Sequence, residues 1–312
     1  MKVEKVDVIV IGAGPSGALA SSLLNKQGKQ VVVLERDTFP RFSIGESLLP
    51  QCMAYLAEAG LAERLDKNAH ALGFQFKNGA AFEKSGEYTF FDFTDKFTSG
   101  PGTTYQVKRA DFDKLLADGA AEQGVTIRYQ HTVIEVAEHT DFMRLVVVDE
   151  AGETYTVESK FVLDASGFGR VLPRLLDLEK PSKFPVRSSY FTHVEDNIDE
   201  QHFDRDKILI TVHPDYSDIW YWLIPFSDGT ASVGVVIEPN KVISPEREHE
   251  AILFDYINQV PNLSRLLKNA KPLAPVRQIK GYSADVTRLH GERFALLGNA
   301  GEFLDPVFSS GV

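Results

Sequence analysis

The chain has 312 residues, 43% of them hydrophobic and 21 of them Phe, enough to bury a large core in one big domain or two intimate ones. Its 33 basic residues against 44 acidic ones leave a net charge of −11, which disfavours nucleic acid as a partner and favours solubility. The single cysteine, Cys52, excludes an intrachain disulfide and a cysteine metal cluster and fits a reducing cytoplasm; no apolar stretch is long enough to span a bilayer, and the N-terminus reads as a strand, not as a signal peptide.

Residues 1–35 read β-α-β. An apolar run from Val6 ends in Gly12-Ala13-Gly14-Pro15-Ser16-Gly17, a helical segment follows to Lys26, and a second apolar run closes on Glu35. Gly12 suits a tight turn, Gly14 lets backbone approach a pyrophosphate, and Gly17 lets the helix pack on the sheet. The free N–H groups of the helix start attract phosphate, and Glu35 is placed to accept from a ribose hydroxyl. The competing reading is a glycine turn without a ligand. Arg41–Ser47 reads as a loop and Leu48–Ala59 as a helix capped by Ser47. Gly73–Lys77, Ala80–Lys84 and Tyr88–Phe93 read as antiparallel strands, parted by the turn signals Asn78-Gly79 and Ser85-Gly86. A helix is predicted over Asp111–Gln123, a strand over Thr126–Tyr129, and a meander over Val133–Ala137, Leu145–Val148 and Thr154–Glu158. Phe161–Asp164 is a buried strand running into Ala165-Ser166-Gly167. The stretch 185–238 is strand-rich, a helix capped by Ser244 is predicted over Pro245–Gln259, and Phe294–Gly298 is a final parallel strand. This order predicts an α/β (α+β) fold: a Rossmann-like nucleotide domain (1–71, 103–184, 280–312) with an antiparallel substrate sheet inserted in two pieces (72–102, 185–279) and the active site between them.

Four segments resemble the FAD monooxygenase (hydroxybenzoate-hydroxylase-like) superfamily: the glycine fingerprint with Glu35-Arg36; Arg109-Ala110-Asp111-Phe112-Asp113-Lys114-Leu115; Asp164-Ala165-Ser166-Gly167; and Leu297-Gly298-Asn299-Ala300 followed by Asp305-Pro306. Three more resemble its flavin-dependent halogenases: Arg41-Phe42-Ser43-Ile44-Gly45-Glu46-Ser47-Leu48-Leu49-Pro50, Trp220-Tyr221-Trp222-Leu223-Ile224-Pro225, and Lys77 where those enzymes carry a catalytic lysine. The resemblance implies an FAD site formed by Gly12, Gly14, Ser16, Gly17, Glu35 and Arg36, by Arg41, Ile44 and Ser47 of the loop, and by Arg109, Val133, Asp164, Gly298, Asn299 and Pro306. It implies chloride or bromide held by backbone at Ser310 and Gly311, reduced FAD supplied by a separate reductase, a small aromatic substrate, and a possible acyl or peptidyl carrier protein.

Trp220 and Trp222 project from one face of a strand, so two indoles wall substrate off from the flavin. A halide still reaches the oxygen activated there and leaves as hypohalous acid, which a partly desolvated Lys77 captures or hydrogen-bonds. Ordinary readings stand beside these: Trp220 and Trp222 as sheet core, Lys77 as a solvated lysine at a hairpin, Arg109 as a surface charge, Cys52 as a small hydrophobe. His131, His193 and His213 read as structural or exposed. Asn299 stands where the superfamily has Asp, removing a charge near the flavin, and Phe308 stands where indole halogenases carry Glu. The latter implies a phenolic or pyrrolic ring in place of tryptophan. The chain stops at Val312, where the resemblance places the start of a helix, which reads as a fragment with incomplete cofactor and halide sites. Two alternatives remain: an aromatic hydroxylase or flavin reductase on the same fold, and an inactive FAD-binding protein.

Overall fold

The computed structural model describes residues 3–199, 203–303, 307 and 309. Two large sheets dominate. The first runs Thr126–Tyr129, Val31–Glu35, Glu4–Ile11, Thr154–Asp164, Met143–Val148, Thr132–Glu138, with Phe294–Leu296 also paired to Thr154–Asp164. Its central strands are parallel and apolar on both faces, as strands covered on both sides must be. The predicted Thr154–Glu158 and Phe161–Asp164 are one continuous strand. One edge of that strand pairs with Glu4–Ile11. The other pairs first with Met143–Val148, through Ser159, and then with Phe294–Leu296, from Val162 on.

The second sheet runs Lys271–Pro272, Ser188–Glu195, Thr230–Ile237, Trp220–Pro225, Lys207–Val212, Gly79–Lys84, Glu87–Asp92, with Arg277–Lys280 paired to Ser188–Glu195. Every pairing in it is antiparallel except Lys207–Val212 with Gly79–Lys84. Alternation along Trp220–Pro225 divides its side chains. Tyr221 and Leu223 join an apolar core with Ile252, Leu253 and Ile257 of the helix His249–Asn258. Trp220, Trp222 and Ile224 face the other way, onto Phe191, Ile208 and Ile210.

Several boundaries differ from the sequence reading. The helix after the loop is Gln51–Ala59, begun by Pro50, so Ser47 is no N-cap. Ser47 instead bridges to Gln106, at the end of a short strand Thr104–Gln106 that pairs with Gln75–Lys77. Asn78-Gly79 is no hairpin turn either: the chain there passes from that small sheet into the large one, with Asn78 N–H on the Asp206 carbonyl and the Asn78 carbonyl accepting from Phe93 N–H. Ser85-Gly86 does turn a hairpin, both residues having positive φ. The later helix begins at His249 after Glu248, not at Ser244. Short helices at Ala62–Asn68, Val171–Leu175 and Pro261–Leu266 have no counterpart in the sequence reading. Among the described residues no helix is long and apolar enough to cross a membrane.

Candidate active site

A cleft of about 810 Å³ opens at the carboxyl ends of the parallel strands. Gly12 leaves the first strand at φ +95°, and a Cβ there would meet the Ala165 carbonyl oxygen at 2.6 Å, so only glycine makes this turn. Gly17 abuts the Gly12 carbonyl with no room for a methyl group, which brings the helix Pro15–Lys26 down on the turn. Gly12, Gly14, Ser16, Glu35, Arg36, Arg41, Ile44, Arg109, Val133, Gly298 and Asn299 line the cleft. Glu35 is buried, its two oxygens accepting from Ala13 N–H at 2.8 Å and Asp37 N–H at 3.0 Å.

Three predicted FAD residues stand elsewhere. Gly17 acts behind the turn. Asp164 is fully buried beneath it, its oxygens held by Ser166 N–H at 2.9 Å and Leu172 N–H at 2.6 Å. Burial raises its pKa, and it shapes the 165–172 turn without reaching the cleft. Ser47 lines a second, smaller cavity. Pro306, Phe308, Ser310 and Gly311 lie outside the described residues.

The loop 41–47 is fastened by a buried acid. Asp113 accepts from Arg109 Nε at 2.7 Å, from its terminal nitrogen at 3.1 Å, and from Arg41 at 3.3 Å. Arg109 and Asp113 share a face because the helix Arg109–Glu122 starts two residues before the predicted Asp111. Arg109 also donates to the Ile44 carbonyl at 2.6 Å. Arg109 is thus buried, not a surface charge.

The second cavity, about 80 Å³, abuts the first: Ile44, Phe168 and Asn299 line both. Its apolar wall is Ile208, Ile210, Trp220, Trp222 and Ile224. The two indoles sit with centroids 6.0 Å apart, so they are sheet core and cavity wall at once. Trp222 Nε1 donates to Ser232 Oγ at 3.0 Å, and its ring covers Gly234, where any side chain would collide with it.

Lys77 is fully buried, because Gln75–Lys77 turns Phe76 outward and Lys77 inward. Its Nζ donates to Ser47 Oγ and to the Leu48 carbonyl, each at 2.7 Å, and lies 5.2 Å from the Phe93 ring centroid. Hydrogen bonds to a charged group contribute about 1.5–3 kcal/mol, whereas taking an ammonium out of water costs several kcal/mol. Desolvation therefore wins, and the pKa falls to about 7. Lys77 borders neither cavity directly; Ser47 stands between it and the smaller one.

Residues 5–311 match the family described as the FAD binding domain. A 1H-pyrrole-2-carbonyl peptidyl-carrier-protein chlorinase of Pseudomonas fluorescens is 30% identical over 98% of this chain and 72% of that protein. The chain belongs to the flavin-dependent halogenases. The solved myxobacterial chondrochloren halogenase superposes with a TM-score of 0.87 at 32% identity, over 99% of this chain and 71% of that one. A flavoprotein/dehydrogenase of Cytophaga hutchinsonii superposes at 0.92 with 42% identity, over 99% and 74%. As a family member the chain is an FAD-dependent oxidoreductase. The cleft fits that cofactor. Gly14 begins the helix with no side-chain cap on its N–H groups, and the nearest atoms a Cβ there would meet are Arg41 at 3.7 Å and Asp113 at 3.8 Å.

Two residues escaped the sequence reading. Glu46 was visible only as part of the loop motif, and His193 only as a strand histidine. The structure joins them across 147 residues, His193 Nε2 to Glu46 Oε1 at 2.7 Å. No local spacing carries such a pair.

Proposed function

We propose that this protein uses reduced FAD and O2 to oxidise chloride or bromide, and that Lys77 delivers the resulting hypohalous acid to an electron-rich phenolic or pyrrolic ring. The observation that carries this is the placement of Lys77, buried and bonded through Ser47 to a cavity adjoining the flavin cleft. An ammonium has three N–H donors, and two go to Ser47 and Leu48; the third would meet an oxidant once Ser47, which stands between Lys77 and the cavity, moves aside. With a pKa of about 7, ammonium and amine coexist at neutral pH, so the same group hydrogen-bonds the oxidant or captures it. The bound flavin would supply two electrons to O2. The cleft residues Gly14, Glu35, Arg36 and Asn299 would hold it, and the loop fastened by Asp113 would keep it in place. Trp220 and Trp222 would keep the aromatic ring away from it.

The carrier-tethered pyrrole of the Pseudomonas chlorinase makes a pyrrole on a carrier protein the first substrate to try, with a separate flavin reductase supplying the reduced cofactor. The test combines reduced FAD, air, bromide and pyrrolyl or phenolic substrates, free or as carrier thioesters, and weighs the products. The expected result is a halogenated product from the parent protein and, for Lys77→Ala, a loss of about 100-fold or more with FAD affinity unchanged. Full halogenation by Lys77→Ala overturns the role of Lys77. The likeness to the Cytophaga flavoprotein/dehydrogenase favours a second reading, a halide-independent hydroxylase or flavin reductase. It predicts product or flavin turnover without bromide.

A further inference from the structure

We propose that His193 and Glu46 are the proton entrance to the small cavity. The proposal rests on the halide oxidation put forward above. That reaction balances as halide + H⁺ + O2 + FADH2 → HOX + FAD + H2O. Oxygen takes two electrons from the flavin and two from the halide; one oxygen atom leaves as water and the other in the hypohalous acid. The later step, HOX + ArH → ArX + H2O, neither releases nor consumes a proton overall. One proton per turnover must therefore come from solvent to the place where the flavin cleft meets the small cavity, and the cavity side of that place is walled by isoleucine and tryptophan.

Glu46 is the one titratable side chain among the described residues lining that cavity. Its side chain is 0% exposed. Oε1 accepts from or donates to His193 Nε2 at 2.7 Å, while Oε2 has no hydrogen-bond partner among the described residues. A buried carboxylate oxygen without a protein partner costs stability unless something in the cavity bonds to it. The imidazole of His193 is 25% exposed and is packed between Phe42, with ring centroids 6.0 Å apart, and Phe226, at 5.5 Å. A ring that accepts a proton on one nitrogen and releases it from the other links solvent to Oε1, and a Glu46 carboxyl protonated at Oε2 takes up that proton at Oε1 as it releases the one on Oε2 into the cavity. The cations packed against this loop are engaged elsewhere: Lys77 with Ser47 and Leu48, Arg109 with the Ile44 and Gly45 carbonyls and Asp113, and Arg277 over the Phe42 ring. None of them closes the path.

Glu46→Gln preserves size and polarity but carries no proton. Two quantities are measured for each variant: FAD affinity of the resting protein by flavin fluorescence, and hypobromite formed from reduced FAD, air and bromide without any aromatic substrate. The expected result is FAD affinity within about twofold of the parent and a hypobromite rate about 100-fold lower for Glu46→Gln. Glu46→Asp, which keeps the carboxylate, recovers part of the rate. His193→Ala loses about 10-fold and regains rate on addition of imidazole, because a diffusible base replaces the missing ring. Parental rates in Glu46→Gln overturn the proposal, as does a His193→Ala protein that imidazole does not rescue. Equal loss of FAD affinity and rate overturns it too, in favour of a loop-holding role. A parent protein that forms no hypobromite overturns the halide reading itself; a parent that does, alongside an unimpaired Glu46→Gln, removes only the proton route.

Discussion

The flavin cleft and the small cavity share Ile44, Phe168 and Asn299, yet they are built in opposite ways. The cleft is shaped by main chain: a turn at Gly12, a helix start at Gly14, and buried acids that hold loops by their N–H groups. The cavity is shaped by side chains that a sheet face presents: two indoles and three isoleucines. A main-chain site fails when a Cβ is added, whereas a side-chain site fails when a ring is displaced. The contrast can be broken by showing that damage to one site spreads to the other.

The largest effect is expected at Gly12→Ala. Both the positive φ and the 2.6 Å approach to the Ala165 carbonyl oppose a methyl group, at a combined cost of about 2–4 kcal/mol. Denaturant midpoints should fall accordingly, and flavin titration should show at least a tenfold weaker Kd. Gly234→Ala comes next. Its Cβ would collide with the Trp222 indole, costing about 1–3 kcal/mol as the ring shifts. Halogenation should drop while flavin titration stays at the parental value; a parallel loss of flavin affinity would show the two cavities to be one unit.

The smallest effect is a pH dependence. The Lys77 pKa is about 7 in the fold against an ordinary 10.5, so between these values the unfolded chain binds more protons. Stability of the parent should therefore rise with pH across that window relative to Lys77→Met. The gain is about 1 kcal/mol between pH 7 and pH 8, read from urea midpoints at each pH. A flat difference between the two proteins would mean that Lys77 stays solvated.

What was legible in the chain follows the same division. Gly12, Gly14 and Gly17 stand at fixed offsets because one turn of backbone uses all three, and Glu35 closes the adjacent strand; the cleft could be read from spacing. The Trp220 and Trp222 face followed from strand alternation. Ser47 misled, because Ser before a helical pattern looks like a cap, and its hydroxyl is instead taken by a lysine 30 residues on. Asp164 shapes the cleft from beneath, through the turn whose Ala165, Ser166 and Gly167 line it. Glu46 with His193, and Asp113 with Arg41, are joined only by tertiary packing, which leaves no periodic mark. Asn78-Gly79 shows the limit of turn chemistry: the same dipeptide served a crossing between sheets.

The strand Thr154–Asp164 has a consequence for how the protein is made. Its upper edge is filled by Phe294–Leu296, and every strand of the antiparallel sheet lies earlier in the chain than that partner. As the polypeptide leaves the ribosome, the parallel sheet waits with one side open until the antiparallel one has fully emerged. Gly298 and Asn299 line the cleft and follow Phe294–Leu296 in the chain, so this stretch of the cleft wall joins the others only after the antiparallel sheet has been synthesised.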